Sequence, residues 1–351
     1  MAKTILLLSG GLDSTRAGKM LLDMGIEVEG LNLTSPFCRC TPSGLGCSAA
    51  SKAASQLGIT VKVIPSGNEY LEIVKHPRFG RGSGANACID CRVHLFGHAA
   101  RMMRETGADF ITTGDVLDER PMSQRKKVME LIERQAGLEG YVLRPLSARH
   151  LAPTVAERTG LVDREKLLAI HGRRRLPQMA LAEELGIGEY LCPAGGCLLT
   201  DPEYAVRFKE LLDHDPGFGI RDANLLKLGR HLRLPSGAKV VIGRNEQENT
   251  SLRNFLTKGD VLIETVNVPG PSVLCRCPGG VEDIRVAMAA AAAYTKHCGK
   301  EKGIVTVTRV GEGGVRDEVV SRPMEPPLDA GCIARWWVGT EHTRSIMERN
   351  V

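Results

Sequence analysis

The chain has 351 residues, 42% of them hydrophobic, a formal net charge of +5 and 11 cysteines. That length suits about two domains, no apolar run reaches the ~18 residues of a membrane span, and the mild charge permits a nucleic-acid partner without demanding one. An odd cysteine count, in a chain entering an apolar run with no signal-peptide layout, argues for metal ligation or catalysis over a disulfide framework and for a cytoplasmic location away from any membrane.

Ile5 to Leu8 predicts a buried strand and Thr15 to Met24 a helix, with Ser9-Gly-Gly-Leu-Asp-Ser14 between them. A loop of small residues opening a helix points free backbone N–H groups and a positive dipole end at an anion. Gly10 and Gly11 allow close approach, and Ser9 and Ser14 add hydroxyl donors. Asp13 is repulsive at a phosphate site unless it caps the helix or meets a magnesium ion. No G-K-[ST] follows, so this is not a Walker loop. A second strand at Ile26 to Leu33, a helix at Cys47 to Leu57 and a third strand at Thr60 to Ile64 complete βαβαβ. The class is therefore α/β with a parallel sheet, and its ligand belongs beyond the strands' carboxyl ends, against Asn32, Leu33 and Thr34.

Cys88-Ile-Asp-Cys91 opens a helical stretch, Arg92 to Thr106, and is a ligand pair. The helix dipole and Arg92 are expected to draw both thiols toward thiolate. Zinc, thiol redox chemistry and iron–sulfur ligation all use such a pair. A fourth strand, Asp109 to Thr113, ends in Thr113-Gly-Asp115, a second wall for the ligand. Arg125 to Lys127 reads as a solvated face, and Val142 to Leu146, containing Arg144-Pro-Leu146, as a fifth strand. Residues 150–190 have helical apolar spacing around the basic knot His171 to Arg175. The glycine-bent loop Cys192-Pro-Ala-Gly-Gly-Cys197 follows, able to bring a third ligand to the distant pair or, on the alternative reading, only to pack its cysteines. Cys38, Cys40 and Cys47 are read as packing, with a second metal site as the alternative. Asp201 to Asp213 predicts a helix and His214 to Arg221 a hinge. Beyond it the pattern is α+β: strands within Leu232 to Gly243, Asp260 to Val268, Ser272 to Arg276, Ile304 to Val310 and Ile333 to Val338, and an Ala-rich helix from Val281 to Tyr294.

The strings at Ser9 to Ser14, Cys88 to Cys91, Thr113 to Asp115, Arg144 to Leu146 and Pro193 to Cys197 together resemble the tRNA thiouridine synthases of the pyrophosphate-loop (PP-loop) ATP pyrophosphatase class, nearest to the 4-thiouridine synthase-like group. Ala87 departs from the proline expected before the first cysteine, which loosens a turn and removes no ligand. Residues 223–338, with Leu234-Pro-Ser-Gly-Ala-Lys239 and Gly243-Arg-Asn245, resemble the NFACT-type RNA-binding module.

The resemblance implies a thiolation domain over 1–213, a linker at 214–222 and an RNA-binding domain over 223–351. It implies ATP and Mg2+ at Ser9, Gly10, Gly11, Asp13, Ser14, Asn32, Leu33, Thr113, Gly114 and Asp115, and a 4Fe-4S cluster on Cys88, Cys91 and Cys197. Asp13 and those three cysteines would be catalytic. The implied reaction adenylates a uridine oxygen of tRNA, then replaces AMP with sulfide to give 4-thiouridine, the sulfur coming from free sulfide or a cysteine desulfurase. A homodimer is the assembly considered. The competing readings are a persulfide route without a cluster, an amidation-type PP-loop reaction with structural zinc, and a non-enzymatic RNA-binding adaptor. Lys227, Arg230, Arg233, Lys239 and Arg244 are the expected RNA contacts.

Overall fold

In the computed structural model, which describes residues 1–39, 48–173, 196–295, 303–312, 316–341 and 343, the chain divides between Thr200 and Asp201 into two units. The first is built on β1 (Lys3–Leu7), β2 (Glu27–Thr34), β3 (Val61–Pro65), β4 (Phe110–Thr113) and β5 (Val142–Leu143). All pairings are parallel and the order is β3-β2-β1-β4-β5. Successive residues face opposite layers. Leu6, Phe110 and Leu143 pack with α1 (Leu12–Asp23) and α2 (Ser48–Leu57). Ile5, Ile111 and Val142 pack with α4 (Cys88–Thr106) and α5 (Lys126–Ala136), while α3 (Asn68–Lys75) lies along α4. Cover on both faces explains why β1 reads as an unbroken apolar run from Ile5, while β2 and the edge strand β3 carry Glu and Lys at exposed positions. The chain steps outward from β1 to β3 and returns on the other side of β1 as β4, so the crevice opens at the carboxyl ends of these strands.

Over residues 150–173 there is less helix than the spacing predicts. Among the described residues of that stretch, regular structure amounts to α6 (Val155–Arg158) and a short 3-10 turn at Arg164–Lys166, and residues 174–195 lie outside the description. β5 also stops at Leu143, because Pro145 cannot donate to a ladder.

The second unit holds α7 (Pro202–His214), α8 (Ile220–Leu225), α9 (Glu246–Leu252), α10 (Val281–Ala293) and α11 (Ala330–Trp336) around an antiparallel sheet. Its strands are β6 (Arg230–Arg233), β7 (Lys239–Ile242), β8 (Val261–Thr265), β9 (Val273–Arg276), β10 (Ile304–Val310) and β11 (Arg316–Pro323), ordered β11-β10-β8-β9-β7-β6. Ile284, Ala287, Met288 and Ala291 of α10 pack on one face against Val240, Ile242, Val273 and Cys275. Leu225 and Leu252 cover Val241 and Leu274 on the other.

Three expectations change here. The boundary falls before α7, not after Asp213: Asp201 caps this helix, the Tyr204 hydroxyl donates to Ala223 O (2.7 Å), and Phe208 meets Phe218 edge-on at 5.5 Å. Residues 214–222 lie inside the second unit, where exposed 214–217 lead to buried Phe218 and the start of α8, so they do not join the two units. Finally, residues 333–338 are not a strand. Asp329 accepts from Cys332 N (2.8 Å) and starts α11, whose Ile333 and Ala334 are buried with Trp337 just beyond its end. The true last strand is β11, a charged edge that carries little apolar signal.

A fragment ending at Thr200 should therefore unfold in one cooperative thermal transition without binding a hydrophobic dye. One ending at Asp213 should bind the dye, since Tyr204, Phe208 and Leu211 lose their cover, each such burial being worth roughly 1.5–3 kcal/mol. Circular dichroism and dye fluorescence check this; a longer fragment that is dye-free and more stable would restore the boundary at 213.

Candidate nucleotide and thiol site

Ser9-Gly-Gly-Leu-Asp-Ser14 leaves the carboxyl end of β1 and becomes the first turn of α1. Gly10 has φ +75°, and a Cβ there would meet the Ala49 carbonyl carbon at 2.3 Å. Gly114 is equally constrained: its Cβ would lie 2.4 Å from the backbone of Asp13 and Ser14, so the loop after β4 presses directly on the loop after β1. The N-cap is Gly11, with no side-chain capping bond, which leaves the helix N-terminus directed at the crevice. The hydroxyls behave differently from expectation. Ser14 Oγ donates to Gly11 O (3.0 Å), accepts from Ser9 N (3.2 Å) and lies 3.0 Å from Ser9 Oγ, so the serines hold the shape of the loop.

A cavity of about 210 Å³ lies over this loop. Ser9, Gly11, Asp13, Ser14, Asn32, Leu33, Thr113, Gly114 and Asp115 line it, together with Arg92 and Arg120, while Gly10 sits behind against Ala49. Asn32 Nδ2 donates to Leu8 O (2.7 Å) and ties β2 to β1. Asn32 Oδ1 is buried without a partner among the described residues, an acceptor waiting at the cavity wall.

Asp115 is a structural hub. It accepts from Arg92, from Gln124 Nε2 (2.9 Å) and from Thr113 Oγ1 (3.0 Å), and Arg144 lies 4.0 Å away, itself paired with Glu133. Burial opposes its charge, but Arg92 and Arg144 with these hydrogen bonds outweigh it and hold the carboxyl below its ordinary range. Both oxygens are engaged, so Asp115 shapes the wall and leaves Asp13 as the carboxylate at the phosphate end. Motif reading placed Arg92 at the thiols and Arg144 in the Arg144-Pro-Leu146 string; what it missed is their convergence on Asp115.

Cys88 and Cys91 lie in the first turn of α4, after Ala87 as N-cap. Asn86 Nδ2 donates to Cys88 Sγ (3.1 Å), and the Tyr70 hydroxyl bonds Cys91 Sγ while its ring leans on Phe37 and His94. Cys197 joins them through the fold: Cys88 and Cys38 act on it electrostatically, and it acts in turn on Cys91. The expectation that Cys91 is drawn toward thiolate is corrected. Burial pushes its thiol up to about 12, against the Tyr70 hydrogen bond and Arg92, and pushes Cys197 up to about 11. A buried thiol held this way gives up its proton when a cation arrives at the sulfur. Among the described residues no three His, Cys, Asp or Glu side chains close on a single ion. A cluster, which takes each thiolate on a different iron, needs a wider spacing, and three soft donors in a water-poor place suit it. Cys40, Cys47 and Cys192 lie outside the described residues. The thiols adjoin the cavity: Arg92 follows Cys91 and lines it, and Arg120 lines it and acts on Cys197.

In the second unit four of the expected RNA contacts are engaged within the protein. Lys239 and Arg233 both pair with Glu210, Arg244 pairs with Glu248, and Arg230 stacks over Tyr294 at 4.5 Å. The pairs with Glu210 tie Arg233 and Lys239 to α7, whereas Arg244 stays nearly half exposed beside Glu248 of α9. No described helix is long and apolar enough to cross a membrane.

Residues 2–167 match the family model described as the tRNA methyl transferase HUP domain, and residues 229–327 the NFACT protein RNA binding domain. The tRNA-specific 2-thiouridylase MnmA of Sulfurimonas denitrificans is 36% identical over 122 residues, 32% of this chain and 35% of the relative. The MnmA of Leptospira biflexa is 24% identical over 235 residues, 62% of this chain and 58% of the relative. The chain spans about a third of the length of the first curated relatives it matches. A solved 4-thiouridine synthetase–RNA complex with bound ATP aligns at 20% identity and TM-score 0.36, over 64% of this chain and 52% of that one. The chain is thus a PP-loop protein of the HUP-domain class that carries an NFACT-type RNA-binding domain after it.

Proposed function

We propose that this protein is a tRNA sulfurtransferase, in which the first unit thiolates a uridine at the expense of ATP and the second holds the RNA. The observation that carries the reading is a cavity over a phosphate-type loop whose wall residues Arg92 and Arg120 neighbour half-buried cysteines, Arg92 beside Cys91 and Arg120 near Cys197. A uridine carbonyl oxygen is a poor leaving group. Its attack on the α-phosphorus of ATP makes a phosphate ester and expels pyrophosphate. The open N-terminus of α1 and the loop N–H groups receive that charge where it develops. Adenine would lie against the end of β2, where Asn32 and Leu33 line the cavity, with backbone groups reading its edge. Magnesium beside Asp13 would offset phosphate charge. A 4Fe-4S cluster on Cys88, Cys91 and Cys197 would supply an iron with an open position for sulfide. Tyr70 and Asn86 orient two of the sulfurs, and Arg92 and Arg120 place cationic charge between them and the nucleotide.

The motifs favour 4-thiouridine as product, whereas the curated relatives are 2-thiouridylases, so the ring position is decided by nucleoside analysis. A persulfide route is a second reading, favoured by the pairing of Cys38 with Cys197. Stoichiometric iron and sulfide in anaerobically purified protein select the cluster.

Asp13→Ala should cut tRNA-dependent pyrophosphate release by about a hundredfold or more, the scale of losing one preorganised charge-stabilising group. Filter binding of tRNA should be unchanged, and normal release would remove the loop from the mechanism.

Asp115→Asn leaves Arg92 and Arg144 without their shared anion and should cost about 3 kcal/mol at pH 7 by urea unfolding. Because the folded carboxyl lies below its unfolded value near 4, its contribution is full above that pH and is lost as acid carries the protein through the lowered pKa. The gap between wild type and variant should therefore close below about pH 4; a gap independent of pH would contradict the charge argument.

A further inference from the structure

Cys38 has no role in the site as proposed, yet its position is closely defined. It pairs with Cys197 in an isolated antiparallel bridge. The hydrogen bonds flanking the pair run from Arg39 N to Gly196 O (3.3 Å) and from Leu198 N to Phe37 O (2.8 Å), which makes it a non-hydrogen-bonded pair. Such pairs bring the Cα atoms to roughly 4.5 Å with both side chains on one face. A disulfide spans Cα separations of about 4.4–6.8 Å, so side-chain rotation alone can join the sulfurs. Both thiols are free and half-buried, within reach of a small oxidant. The alternatives are less well placed, since Cys91 is engaged by Tyr70 and Cys88 by Asn86, whereas Cys197 has Cys38 directly opposite.

We infer that Cys38 and Cys197 form a reversible disulfide across this bridge, which withdraws Cys197 from the thiol site. In its consequence for iron, the inference rests on the cluster proposed above. One of the two thiols loses its proton, attacks one sulfur of a low-molecular-weight disulfide such as glutathione disulfide and expels one glutathione thiolate. The other then loses its proton, attacks the protein sulfur of the mixed disulfide and expels the second. Two protein thiols give up two protons and two electrons, and the glutathione disulfide takes up the electrons and ends as two thiols. A dithiol reductant reverses both steps. Closed, the bond leaves Cys88 and Cys91 as a pair without their third partner; open, it releases Cys197. The same site is thereby shut under oxidising conditions by a residue that is not itself a ligand.

The test uses full-length protein freed of iron, exposed anaerobically to glutathione disulfide, alkylated and mapped by peptide mass spectrometry. The expected result is a peptide joining Cys38 to Cys197, absent after dithiothreitol. Oxidised wild type should then take up no iron and sulfide until reduced, whereas Cys38→Ser, oxidised and mapped identically without reduction, should yield no internal Cys197 linkage and at most glutathione on Cys197. In wild type, a linkage of Cys197 to Cys88 or Cys91, or no linkage at all, overturns the inference. Reduced wild type that takes up no iron counts against the cluster, and the linked peptide still decides the disulfide.

Discussion

Everything in the first unit depends on how closely two backbone segments approach beyond β1. The loop at residues 9–14 has Ala49 on one side and the loop after β4 on the other, with no room for a side chain at Gly10 or Gly114. This contact fixes where the first turn of α1 points, and so where the N–H groups and the dipole meet an anion. It exists because β1 lies between β2 and β4, at the reversal of strand order. The serines stiffen the loop from within, so its capacity to hold phosphate is a property of the backbone.

The second constraint is burial next to charge. Asp115 keeps its proton off against desolvation because two arginines and two hydrogen bonds surround it. Cys91 and Cys197, in comparable depth but without such a surplus of cations, are driven the other way. The site therefore sets a carboxylate held below its ordinary range beside thiols pushed above theirs, the latter ready to exchange protons for metal.

Much of this was legible before any coordinates. The unbroken apolar run at residues 5–8 marks a central strand covered on both faces, while 26–33 and 60–64, which alternate with Glu and Lys, are read as its parallel neighbours from the helices between them. The Gly-rich loop and the paired cysteines carry chemistry in their spacing. Less visible was whatever depends on partners distant in the chain. Nothing in the text of the sequence separates Cys38 from Cys40 and Cys47, and only the bridge to Cys197 does so. The cations near the start of the second domain read as an RNA face because Glu210 and Glu248, which neutralise them, are reached only through folding. The missed strand at 316–323 is charged because it is an edge, and the helix at 330–336 is short enough for its apolar residues to mimic a strand.

The central claim is that one cavity couples nucleotide cleavage to sulfur delivery onto RNA. It is tested most directly by incubating the reduced, iron-reconstituted protein anaerobically with ATP, sulfide and unmodified tRNA, then digesting the RNA and analysing its nucleosides by mass spectrometry. The account predicts a thiolated uridine that appears only when ATP is present, with pyrophosphate released in equal amount. Pyrophosphate release with no sulfur in any nucleoside would contradict it.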